Sequence, residues 1–283
     1  MQEKELQEKV SRAEPSFLYH YTTLNGLLGI MEEGKLWATH IRYLNDASEF
    51  RVLSDTFFDH ASDAVDKRRD ASLMNEWSRR IRRPEIYTAS FSAVKTGDDL
   101  SQWRAYGGQH TGVSLGFRPQ YLRDVCRHFL KGNQGWIGAD KDSLIECAYY
   151  KQKQFPEVDP EILANIKRNL ATGDRSEQII SLALYGASLK HEGFRAESEW
   201  RIALVRENGF PFTDLKFRQL KSLIAPYVPI PLKLDGCPIQ ILRVVVGPAP
   251  HMDEAVDAVK FLLAKNNVPV SEVVPSKIPY RNW

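Results

Sequence analysis

Glu197 and Glu199 place two carboxylates one residue apart, with Trp200 and Arg201 directly after them. On a strand, residues i and i+2 point to the same face, about 6.6 Å apart at roughly 3.3 Å per residue. Like charges repel, so a buried structural strand gains nothing from this placement. At a glycosidic bond the pair has a use. One carboxylate holds a ribose hydroxyl and stabilises an oxocarbenium-like transition state, while the other handles the acceptor's proton. The plain alternative is a solvated edge strand whose carboxylates pair with Lys190, Arg195 or Arg201.

Other groups with suitable chemistry lie far away in sequence. His20, Tyr21 and Thr22 end an apolar segment. A histidine there can bind a ribose hydroxyl and a tyrosine can stack on a flat ring; a packed core histidine is the simpler alternative. Asn45, Asp46 and Glu49 follow, with Asp46 or Ser48 able to cap a helix. Ser90 and Ser92 share one side of a strand-like segment, and Arg104 sits between Trp103 and Tyr106. An arginine suits bidentate contact with a pyrophosphate, whereas Trp103 and Tyr106 at i, i+3 read as helix packing. Lys67, Arg68, Arg69, Arg79, Arg80, Arg82 and Arg83 form a basic stretch around Trp77. It suits a nucleic-acid backbone or an ordinary solvated helix face, since Asp66, Asp70 and Glu76 dilute it.

These groups need elements to hold them. Residues 17–22 alternate as a strand, and Leu24, Leu27, Leu28 and Met31 repeat at helical spacing up to a capping Gly34. Strands are expected at 36–41, 86–92, 112–117, 145–150, 197–205, 240–247 and 270–275. Helices are expected over 50–83, 98–107, 119–130, 252–266 and, in two pieces broken near Gly173, 159–190. Strands and helices mix without strict βαβ alternation, which predicts an α+β fold with a mixed or antiparallel sheet. Residues 1–16 read as a charged tail and 17–283 as one elaborated domain.

Composition narrows the classes. The 283 residues are 43% apolar and 26% charged, values of an ordinary globular chain. Lys and Arg number 38 against 36 Asp and Glu, so no global charge draws the chain to nucleic acid or to a membrane. No apolar run approaches the roughly 18 residues of a membrane span, and the charged N-terminus does not read as a signal peptide. Three scattered cysteines without a CxxC argue against a disulfide framework or zinc site and for a reducing cytosol. P-loop, GxGxxG and HExxH patterns do not occur, which removes the usual grounds for kinases, Rossmann dehydrogenases and zinc proteases.

In order, Tyr19 to Thr22, Asn45 to Glu49, Ser90 to Ser92, Trp103 to Tyr106, Gly112 to Phe117 and Glu197 to Arg201 resemble the successive motifs of an uncharacterised bacterial domain family. The closing Val246-Gly247-Pro248 and Ser276 to Arg281 resemble it too. That family in turn looks like a distant branch of the ADP-ribosyltransferase superfamily. The resemblance implies a split, mostly antiparallel sheet with flanking helices and NAD bound as substrate, with no metal. It implies that His20 holds the adenosine ribose, with Tyr21, Thr22, Asn45, Ser90, Ser92 and Arg104 in the NAD-binding cleft. Glu199 would stabilise charge at the nicotinamide ribose and Glu197 would orient the acceptor. The implied activity is ADP-ribosyl transfer by a cytoplasmic bacterial toxin or phage-defence effector, with an antitoxin or regulatory protein as a possible partner. Nucleic acid is the favoured target over protein, with Arg79, Arg80, Arg82 and Arg83 contacting it. NAD hydrolysis, protein modification and a non-catalytic nucleotide-binding module are the alternatives.

Overall fold

The computed structural model describes residues 14–44, 85–107, 111–138, 143–151, 184, 186–207, 212–220 and 222–280. β1 (Leu18–Thr23) runs into helix α1 (Leu24–Glu33). Thr23 caps that helix, its hydroxyl accepting from the Gly26 amide, as N-cap threonines do. Gly34 ends it in the left-handed conformation at φ 64°, where a side chain would be strained. β2 (Lys35–His40) follows at once. Next come β3 (Ile86–Ser92), the short helix α2 (Leu100–Tyr106) capped by Asp99, β4 (Gly112–Phe117) and helix α3 (Pro119–Gly132), which has proline at its first position.

Three short strands, β5 (Trp136–Gly138), β6 (Leu144–Glu146) and β7 (Ala148–Tyr150), precede β8 (Leu189–His191). A 3-10 turn over Glu192–Glu197 leads into β9 (Glu199–Arg206). The hairpin β10 (Lys216–Gln219) and β11 (Ile224–Pro231), then β12 (Arg243–Val246), helix α4 (Met252–Lys265) and β13 (Glu272–Pro275) complete the order. The fold is α+β with a mostly antiparallel sheet. Among the described residues no helix is long and apolar enough to cross a membrane.

The main path of the sheet runs β10-β11-β2-β3-β1-β4-β12-β13. Apolar faces of α1, α3 and α4 bury against it in one core, through residues such as Leu27, Leu122 and Val259. A second cluster of Tyr19, Tyr21, Trp103 and Val245 brings in α2. β1 feeds both, as strand alternation requires: Leu18 joins the first and Tyr19 the second.

The sheet divides at β3. One edge of β3 pairs with β9 along its whole length, from Ile86↔Val205 to Ser92↔Glu199. The other edge is shared. β2 takes Tyr87 and Thr88, and β1 takes only Ser92. Ala89, Ser90 and Phe91 face the gap with no strand partner on that edge among the described residues.

Several expected elements change. The segment 145–150 is two strands interrupted at Cys147, whose amide turns to the carbonyl of Glu199. β11 was not expected as a strand, because it carries Pro226, Pro229 and Pro231. It tolerates them because β10 pairs only with Ile224–Tyr227 and β2 only with Tyr227–Pro231. Each proline therefore lies where one edge needs no N–H donor. The expected helices over 50–83 and most of 159–190 lie outside the described residues.

Candidate functional site at the split of the sheet

A cavity of about 550 Å³ occupies the gap between β1 and β2, a size suited to a small organic ligand. His20, Tyr21, Thr22, Ser90, Ser92, Glu197 and Glu199 all line it, so residues up to 179 positions apart in the chain meet in one place. Arg104 does not. It projects from an exposed position on α2 and lies 5.3 Å from the ring centre of Tyr280. The expectation that it meets a pyrophosphate in the cleft is corrected by that geometry. Asn45 and Arg79, Arg80, Arg82 and Arg83 lie outside the described residues.

His20 sits at the split. Its Nδ1 donates to the carbonyl of Ser90 at 3.0 Å, supplying the hydrogen bond that a neighbouring strand would otherwise give. That bond fixes the tautomer of the neutral ring and leaves Nε2 as an acceptor. Burial lowers the pKa of His20, and the Arg218 charge pushes the same way against the Ser90 bond, so the imidazole is neutral. A neutral acceptor nitrogen in a cavity wall suits a ligand hydroxyl.

The two glutamates are not on one strand. Glu197 ends the 3-10 turn, Ser198 adopts the left-handed conformation at φ 43°, and Glu199 opens β9. A non-glycine residue in that conformation is strained, and three bonds hold it. The Ser198 amide donates to Arg195, the Ala93 amide donates to the Ser198 carbonyl at 2.9 Å, and Ser92 Oγ donates to the Glu197 carbonyl at 2.6 Å. The i, i+2 pair on one strand face is instead Glu199 with Arg201.

Charge compensation resolves the repulsion between the carboxylates. Lys190 of β8 donates to both of them: to Glu197 Oε2 at 2.7 Å and to Glu199 Oε2 in a tight ion pair. Arg201 grips Glu199 with Nε at 2.7 Å and a terminal nitrogen at 3.0 Å. It also donates to the Ala187 carbonyl. Burial alone would raise the pKa of Glu199, but Arg201 and Lys190 outweigh it and hold the carboxyl at about 2. Burial likewise opposes the charge on Lys190, and its two carboxylates reverse that and raise its pKa.

Both oxygens of Glu199 are therefore occupied, and its side chain is only 4% exposed. Glu197 differs. Its side chain is 15% exposed, Tyr106 donates to its Oε2 at 3.3 Å, and Oε1 accepts from no described residue. The Tyr106 hydroxyl is kept protonated by burial and by the Glu197 charge, which raise its pKa.

Two letter patterns resolve as structure. Gly112-Val113-Ser114-Leu115-Gly116 spells the G-x-S-x-G of a hydrolase nucleophile elbow. Ser114 lies fully buried inside β4 and donates to the Gly97 carbonyl at 2.6 Å, so it is not a nucleophile on an exposed turn. Trp103, expected to pack, is buried edge-on against Tyr21 with ring centres 4.8 Å apart. Its Nε1 donates to Asp98 Oδ1 at 2.7 Å, and Asp98 also accepts from Ser276 Oγ and the Lys277 amide. The closing Ser276 to Tyr280 segment is thus fastened to the loop before α2.

A family model described as "Protein of unknown function (DUF2971)" matches residues 102–202. The match begins inside α2, contains β4 and both glutamates, and stops inside β9. It leaves β1 and its histidine outside. No curated protein and no solved structure matches the chain. Among the described residues no His, Cys, Asp and Glu side chains gather as a metal-ligand set.

Proposed function

We propose that this chain is an ADP-ribosyltransferase that uses NAD as substrate, with residues 17–283 forming one ADP-ribosyltransferase-like domain. The observation that carries the reading is the convergence of His20, Ser90, Ser92, Glu197 and Glu199 on one cavity where the sheet splits. Such a cavity offers a hydroxyl acceptor at His20, aromatic wall at Trp37 and Phe91, and a carboxylate at Glu197. The reaction breaks the bond from ribose C1′ to the nicotinamide nitrogen, which keeps the electron pair. Positive charge grows on the ribose, and an anion held in a water-poor wall favours that transition state.

The division of work between the glutamates in this reading differs from the first expectation. Glu197 is the carboxylate with a free oxygen, so it faces the ribose and stabilises the developing charge. Glu199 acts through others: with Arg201 it fixes Lys190, and Lys190 fixes Glu197. Strain at Ser198 fits this reading, because strained backbone is tolerated where it aims a reacting group. His20 binds a hydroxyl remote from the reacting carbon and contributes to affinity rather than to the chemical step.

The test is incubation of the full chain with NAD labelled in its adenosine half, with and without bacterial lysate. Nicotinamide release with label appearing on a macromolecule is the expected outcome, and nuclease or protease sensitivity then names the acceptor. Release without transfer would make the chain an NAD glycohydrolase. No release and no thermal stabilisation by NAD would overturn the reading.

A further inference from the structure

The far end of the cavity is lined by Arg218 of β10, with Thr39 and Trp37 of β2 beside it. One terminal nitrogen of Arg218 donates to Thr39 Oγ1 at 2.8 Å, and the guanidinium lies 5.7 Å from the ring centre of Trp37. No described carboxylate pairs with it, and its buried Nε has no acceptor. An unanswered buried N–H commonly costs about 1–3 kcal/mol, so it calls for an explanation. A stacked guanidinium with unused planar donors matches the fork geometry of a phosphate oxygen pair.

A second feature has the same sign. The first turn of α1, through Thr23, Asn25 and Gly26, lines the same cavity and contains no acidic residue. A helix N-terminus carries partial positive charge toward whatever lies before it. The opposite end of the cavity presents Glu197 and Glu199. The cavity therefore carries an uncompensated cation at β10, whereas its carboxylates at β9 are already matched by Lys190 and Arg201.

We infer that Arg218 forms the diphosphate subsite of this cavity, gripping the phosphate oxygens of a nucleotide whose ribose lies at His20. The inference rests on the NAD reading for the identity of the nucleotide, but the subsite itself follows from Arg218 alone. It assigns to β10 the role first expected of Arg104. Trp37 keeps the guanidinium plane in place while Thr39 occupies one terminal nitrogen, which leaves the other terminal nitrogen for the ligand.

Calorimetry with adenosine, ADP, inorganic pyrophosphate and NAD tests it on the wild-type chain, Arg218→Gln and Arg218→Lys. Wild type is expected to bind ADP and NAD, and to bind ADP well above adenosine. Arg218→Gln weakens ADP, pyrophosphate and NAD by ~10–100-fold, the range of charge-assisted hydrogen bonds, and leaves adenosine unchanged. Arg218→Lys falls between, since it keeps the charge but not the fork. Ligand-free Arg218→Gln melts no lower than wild type, which separates a binding role from a structural one. Unchanged ADP and NAD affinity in Arg218→Gln, equal loss of adenosine, or no diphosphate binding by wild type overturns the subsite. If ADP binds through Arg218 while NAD neither binds nor releases nicotinamide, the subsite stands and the NAD reading fails. If Arg218→Gln turns over NAD with an unchanged KM, the NAD reading stands and the subsite fails.

Discussion

At the β9 end of the cavity, Glu199 has both oxygens held by cations, and Lys190 spends its charge on two carboxylates. At the β10 end, Arg218 has a hydroxyl for a partner and a bare Nε. Both ends bury charge, yet one is internally neutralised and the other is not. Neutralised charge gives rigidity, because removing any member strands the rest. Uncompensated charge stores free energy that a ligand of opposite sign releases. The first end is built to hold a reacting group still, and the second to be completed by something from outside.

Lys190→Met is the strongest test of that contrast. It leaves two buried carboxylates without their shared cation, so unfolding stability should fall by about 3–5 kcal/mol in denaturant titration. Arg218→Gln should cost nothing comparable, and similar losses for both would erase the distinction. Glu197→Gln comes next. It keeps the volume and removes the free anionic oxygen, so nicotinamide release should drop ~10²–10³-fold. Its melting temperature should fall less than that of Lys190→Met, because the amide oxygen still accepts from Lys190. A drop of that size in Glu199→Gln with intact stability, and little change in Glu197→Gln, would restore the opposite division of roles.

Acid titration addresses the same cluster. The folded pKa of Glu199 lies below its ordinary value of 4.5, at about 2. Its contribution is therefore present above the unfolded pKa and is lost as pH falls through the folded one. Stability should decline between about pH 4.5 and pH 2, and Glu199→Gln should flatten that part of the curve. The smallest effect belongs to His20. His20→Ala should raise KM for NAD by ~10-fold with little change in kcat, as the loss of one uniform hydrogen bond does. Since burial lowers the pKa of the wild-type imidazole below its ordinary value of 6.5, NAD affinity should stay flat from pH 7 to pH 8. A break near pH 6.5 would mean that the ring charges in the complex.

The sequence carried the residues that declare themselves by type. His20, Ser90, Ser92, Glu197 and Glu199 were each legible as groups able to touch a sugar or its phosphates, and they converge. Two of their supports were legible as well, since Lys190 and Arg201 were expected as the ion-pair partners of structural carboxylates, and both hold Glu199. What spacing did not encode is that the pair is buried and that Arg195 turns to Glu192 instead. Serine at a left-handed position gave no sign, because glycine is the usual signal there. Arg218 was hidden because the proline pattern of β11 concealed the whole hairpin that carries it. Arg104 was expected in the cleft from its residue type, but the packing face marked by Trp103 and Tyr106 leaves it exposed on α2. Fold class was easier, since the mixed order of strands and helices alone excluded a doubly wound sheet.

The cavity draws its walls from Tyr19 through Gln219. At a translation rate of about 5–20 residues per second, its first strand leaves the ribosome roughly 10–40 s before its last contributor. β1 and α1 can form locally in that interval, but the edge of β3 that faces β9 must wait for a partner more than a hundred residues downstream. Pairings of such sequence separation form slowly even in the finished chain. A nascent chain that stops short of β10 therefore has no closed pocket, and the site comes into being only as synthesis nears its end.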